Sequence, residues 1–156
     1  MNTQDEYFLQ PGYIYTSTKG TIVKTVLGSC VSVCLWDKKN QIGGINHYIY
    51  PKKGKNDNIA KFGDVAIPYL IQLMRKLGSN KVDLIAHVIG GANNPKYSSS
   101  IGSENIKIAE KILKKSNIKV LSWDVGGTVG KKVAYNTFTG EALVYKCMKV
   151  RESDWY

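Results

Sequence analysis

Apolar and polar positions change period along the chain, and the changes mark its elements. Residues 13–16 alternate, residues 21–27 are rich in β-branched side chains, and residues 31–36 form an apolar run. A further strand is expected over 41–50, interrupted early by Gly43 and Gly44. These stretches are short and bounded by Gly, Pro, Asn or Asp, which is the signature of strands. Residues 55–63 read as a polar loop. The period then lengthens. Ala66, Leu70, Leu73, Met74 and Leu77 share one stripe, which predicts a helix over 64–77. Asp64 is its candidate N-cap and Gly78 its stop. A buried strand is expected over 82–89. A second helix over 103–115 has Ile108, Ala109, Ile112 and Leu113 as its apolar side. Lys114 and Lys115 suit the negative end of its dipole. Strands over 118–123, 132–137 and 141–146 close the pattern, the last two flanking Phe138-Thr139-Gly140, a hairpin signal. The result is a β-rich α/β protein with two main helices. Its natural architecture is a sheet covered by helices on one side and packed on a second sheet.

Composition narrows the class. The 156 residues suit one domain, 1–156, with a hydrophobic core. No apolar run approaches the roughly 18 residues of a membrane span. Residues 1–12 contain Asp5 and Glu6 and lack the pattern of a secretory signal, so a cytoplasmic protein is expected. The net charge of +10 favours an anionic partner. The lysines are scattered as pairs, and no nucleic-acid motif accompanies them. A solvated basic surface, with room for an acidic protein partner, is therefore favoured over nucleic-acid binding. Cys30, Cys34 and Cys147 include no CxxC, so neither a disulfide framework nor a zinc site is indicated. No metal or organic cofactor is expected.

Leu27-Gly28-Ser29-Cys30 lies between two predicted strands, where glycine permits a sharp turn and close approach of a ligand. The segment 37–40 is a four-residue polar loop of hairpin type. If residue 36 faces residue 41, cross-strand pairs sum to 77, as do Cys30 and His47. The two would then lie opposite each other on one face, with Cβ atoms roughly 4.5–5.5 Å apart. A bulge at Gly43-Gly44 would turn that face. An imidazole beside a thiol can take its proton, generate a reactive thiolate and later protonate a leaving amine. A third group should orient the ring. Thr25, on the preceding strand, is the nearest candidate. His87 reads as a satisfied core histidine, and Cys34 and Cys147 as packing residues. Gly90-Gly91-Ala92-Asn93 and Asp124-Val125-Gly126-Gly127 are not phosphate loops. They read as tight turns lining a cleft, with backbone N–H groups near the site.

Together, Leu27-Gly28-Ser29-Cys30, Asp37, Gly43-Gly44-Ile45-Asn46-His47 and Pro51 resemble the chemoreceptor glutamine deamidases, the CheD family of bacterial chemotaxis. The likeness continues through Gly90-Gly91-Ala92, Ile101-Gly102 with Asn105, Asp124 with Gly126-Gly127, and Gly130 before Lys132-Val133. It implies a three-layer α/β sandwich akin to bacterial toxin deamidases. It implies hydrolysis of selected glutamine side chains on methyl-accepting chemotaxis receptors to glutamates, with a cysteine, a histidine and a threonine as catalytic set. Cys30 and His47 match the first two positions, and Thr25 is the best match to the third. Family members can also bind the phosphatase CheC, so a non-catalytic adaptor is the alternative. Ser100-Ile101-Gly102-Ser103-Glu104-Asn105 departs from the Asn-Ile-Gly-x-Arg-Asn of many members, and Lys131 stands where arginine is common.

Overall fold

The computed structural model describes residues 5–148, 150 and 155. Residues 1–4 of the N-terminal stretch lie outside them. The described elements are β1 (Asp5–Phe8), β2 (Ile14–Ser17), β3 (Thr21–Leu27), β4 (Val31–Asp37), β5 (Ile42–Asn46), α1 (Gly63–Lys76), β6 (Leu84–Gly90), α2 (Ile101–Lys115), β7 (Lys119–Val125), β8 (Gly130–Asn136) and β9 (Ala142–Cys147). The strands form two sheets, ordered β2-β5-β4-β6-β7 and β1-β3-β8-β9.

Three layers result. Val31, Val33 and Leu35 of β4 pack on Ala66, Leu70 and Met74 of α1 and on Ile108 and Leu113 of α2. The other face of β4 carries Cys34, which with Ile45 of β5 packs against Val23, Leu27, Val133 and Tyr135 of the second sheet. Helices therefore cover one face of the five-stranded sheet, and the four-stranded sheet covers the other. β4 is buried on both faces, which is why it reads as a continuous run and not as an alternation. The Tyr135 hydroxyl ties the two sheets by donating to the Leu35 carbonyl at 2.7 Å.

Three local expectations are corrected, and one strand is added. Phe62, not Asp64, is the N-cap of α1. The Asp64 carboxylate instead accepts the Lys53 N–H at 3.0 Å and so holds the preceding loop. Val82 is 89% exposed on a short 3-10 turn, and β6 starts at Leu84. β1 was not legible, because its four residues are all exposed and two are acidic. It forms through parallel pairing with β3 and through the next residue, Leu9, fully buried and bonded to the Lys24 carbonyl at 2.8 Å.

The hairpin register also differs from the expectation. Observed pairs run from Asp37↔Ile42 to Cys34↔Ile45, with a bridge at Val31↔Tyr48, so they sum to 79 and not 77. The Asp37 carboxylate accepts the N–H groups of Lys39 at 3.0 Å and Asn40 at 3.2 Å. Gln41, at φ 53°, completes the turn, so the loop is 38–41. An even shift preserves the face. Pairing passes through Gly43 and Gly44 without a bulge. A Cβ on Gly43 would lie 2.6 Å from the Thr137 backbone, and one on Gly44 2.8 Å from Leu70 Cδ1. Each glycine lets one neighbouring layer approach.

Candidate active site

Cys30 sits in the turn between β3 and β4 and is fully buried. Two loops hold that turn. The Gly91 N–H donates to the Cys30 carbonyl at 2.8 Å, and the Ala92 N–H to the Gly28 carbonyl at 3.0 Å. The Gly126 N–H donates to Gly90 and the Asn93 N–H to the Gly127 carbonyl, both at 2.9 Å, stacking the second glycine loop on the first. The sequence expectation for these loops is thereby refined: they do lie beside the site, but these N–H groups are bonded within the scaffold. Gly90, at φ 109°, has no room for a side chain, because a Cβ would run into the Cys30 carbonyl.

His47 follows β5. The Val31↔Tyr48 bridge puts Ser32 opposite His47 and Ile49 opposite Cys30, so Cys30 and His47 are diagonal neighbours on the inter-sheet face. Diagonal pairs stand roughly 7–8 Å apart, with Cβ atoms somewhat closer, within reach of an imidazole. His47 is 1% exposed. Thr25 of β3 reaches it across the gap between sheets, Oγ1 to Nδ1 at 2.7 Å. The same hydroxyl donates to the Leu9 carbonyl at 2.9 Å. That carbonyl can only accept, and threonine has one hydroxyl hydrogen. The Thr25 oxygen must therefore accept from His47 Nδ1–H, which leaves the lone pair of the neutral ring on Nε2. Nε2 is buried and has no hydrogen bond in the structure. Burial pulls the His47 pKa down to about 4, so the ring is neutral at pH 7.

The remaining candidates separate from this site. Burial pushes the Cys34 thiol far up, so it remains protonated in the inter-sheet core. His87 is half-buried, with Nδ1 2.6 Å from Ser122 Oγ and Nε2 3.1 Å from the Gly140 carbonyl. It is satisfied, as expected, but on a partly open sheet face and not in the core. Cys147 ends β9 in a half-buried position. A cavity of about 250 Å³, lined in part by Ser29, Asn93, Tyr97 and Trp155, borders the turn that carries Cys30. No helix among the described residues is long and apolar enough to cross a membrane.

The fold and site define a three-layer, strand-rich α/β protein with a buried cysteine and a threonine-oriented imidazole on one inter-sheet face. The family follows from comparison with known proteins. The model of the CheD family, described as CheD chemotactic sensory transduction, matches residues 50–146. A relative from Trichlorobacter lovleyi is 40% identical over 143 residues, covering 89% of each chain. One from Sulfurimonas denitrificans is 35% identical over 146 residues, covering 90% of this chain and 93% of its own. Both are named "Probable chemoreceptor glutamine deamidase CheD". This chain belongs to the CheD family. Its fold is also similar to the crystal structure of Neisseria meningitidis protein NMB0706, of the DUF152 family. The TM-score is 0.51 at 10% identity, over 81% of this chain and 65% of that one.

Proposed function

We propose that this protein is a hydrolase that converts selected glutamine side chains of chemotaxis receptors to glutamate, with Cys30, His47 and Thr25 as its catalytic set. The observation that carries the site assignment is the 2.7 Å Thr25–His47 bond, buried on the same inter-sheet face as Cys30. The names of the relatives support the substrate class.

The chemistry starts from a neutral pair, because burial keeps the imidazole uncharged. His47 Nε2 takes the thiol proton as sulfur attacks the carboxamide carbon. Thr25 holds the ring in the required tautomer. Backbone N–H groups of the Cys30 turn, that of Cys30 among them, receive the developing oxyanion. The C–N bond breaks, His47 hands its proton to the departing ammonia, and a thioester remains. Water, deprotonated by His47, releases glutamate and restores the thiol. Threonine orients the ring but carries no charge, so it supports the transient imidazolium less than aspartate would. The protein acts in this reading in the cytoplasm, on receptor helices. Binding of a CheC-type phosphatase is a separate proposal that rests on the family resemblance alone.

The test is incubation with a receptor cytoplasmic fragment under reducing conditions, with glutamine-to-glutamate conversion mapped by mass spectrometry. Wild type converts specific sites, and Cys30→Ala converts none. Conversion by Cys30→Ala removes the nucleophile assignment, and an inert wild type removes the deamidase reading. A biological effect that survives Cys30→Ala favours the adaptor.

A further inference from the structure

One polar residue of α2 touches the chain beside both halves of the proposed site. Asn105 is fully buried on the inner side of that helix. Its Nδ2 donates to the Ser29 carbonyl at 2.9 Å and to the Ile49 carbonyl at 2.8 Å. Its own main-chain carbonyl accepts the Tyr48 hydroxyl at 2.6 Å. Burial, with a smaller contribution from the nearness of Cys30, holds the Tyr48 phenol well above its usual pKa, so it remains a neutral donor. Ser29 precedes Cys30, while Tyr48 and Ile49 follow His47.

The orientation of the Asn105 amide follows from chemistry. Both partners are carbonyl oxygens, which only accept, so the nitrogen must face them. The Oδ1 atom is left buried without a hydrogen-bond partner. The two donated bonds also serve different segments, the turn before Cys30 and the stretch after His47. Finally, the Ser29 carbonyl and the Cys30 N–H belong to one planar trans peptide and point in opposite directions. Pinning the carbonyl toward α2 aims the N–H away from it.

We propose that Asn105 is the positioning residue of this site: it sets the relative placement of Cys30 and His47 and aims the Cys30 N–H. The proposal rests on the Cys30–His47 reading above. The residue makes no contact with the reacting atoms. It acts through the backbone on either side of them.

Asn105→Ala tests this through two readouts. The first is the rate of Cys30 alkylation by iodoacetamide as a function of pH, with the modified peptide identified by mass spectrometry. The second is kcat and KM on the receptor fragment, with circular dichroism to measure the folded fraction. In the folded variant kcat falls about 10- to 100-fold while KM stays within about twofold, because misplacement by an ångström affects the reacting geometry and not docking. The alkylation profile moves toward that of an unassisted thiol, with a midpoint near pH ~8.5. A folded variant with wild-type kcat and an unchanged alkylation profile overturns the proposal. A kcat loss that vanishes on correction for the folded fraction overturns it too. If Asn105→Ala does not fold, Tyr48→Phe removes only the bond to the Asn105 carbonyl. It should shift the alkylation profile the same way by a smaller amount, and no shift counts against the proposal. If wild type fails to deamidate the fragment, the deamidase reading falls, while the alkylation readout, which needs no substrate, still decides the role of Asn105.

Discussion

Thr25 has one hydroxyl hydrogen, and the Leu9 carbonyl takes it. Everything proposed for His47 depends on that count, because it fixes which ring nitrogen holds the lone pair. Thr25→Val keeps the shape but strands a buried N–H, at about 1–3 kcal/mol of stability. It should also lower kcat by about 10- to 100-fold, a part of the ~10²–10⁴-fold that a positioned general base contributes. Thr25→Ser should recover most of both losses, read by steady-state deamidation and thermal melts. His47 makes a second, pH-dependent prediction. Its pKa lies at about 4 in the folded protein and near 6.5 in an unfolded chain. As pH falls through that interval the unfolded chain binds a proton that the folded one does not, so stability falls with pH there and is unaffected by this group above it. The urea midpoint should therefore be lower at pH ~4.5 than at pH ~7.5, and His47→Gln should flatten the difference.

At the scale of elements, α1, α2, β3 and β4 were readable because a few consecutive residues carry their period. β1 was not, because all of its residues are exposed, so its pattern carries no buried face, and its pairing is parallel with β3, beyond any hairpin window. Gly43 and Gly44 raised the expectation of a bulge, but they serve close packing of layers on both sides of β5. The contact at Gly43 is with Thr137 backbone and cannot yield, whereas that at Gly44 is with the tip of Leu70. Gly43→Ala should therefore destabilise by more than Gly44→Ala, toward the upper end of about 1–3 kcal/mol for overpacking, read as a shift in urea midpoint. The hairpin loop lies one residue further along than its polar composition suggests, because the Asp37 carboxylate gathers the N–H groups of Lys39 and Asn40.

For the molecule as a whole, the site is a property of the layering. β3 belongs to one sheet and carries Thr25; β5 belongs to the other and leads into His47; α2 supplies Asn105 from the third layer. The net charge of +10 acts at this scale as well. If it steers docking on an acidic receptor surface, KM should rise as ionic strength goes from about 0.05 to about 0.5 M, with kcat little changed. A KM insensitive to salt would assign docking to apolar contacts. By itself the chain determined the class of fold, the family resemblance and the candidacy of Cys30 and His47, since period, turn chemistry and residue type are encoded locally. Only the tertiary structure decided that their register is diagonal, that Thr25 meets the His47 ring across the gap between sheets, that burial disfavours the charged form of that ring, and that Asn105 bonds the carbonyls of both Ser29 and Ile49. Each of these depends on atoms that packing brings together across layers, and no short window of sequence contains both partners.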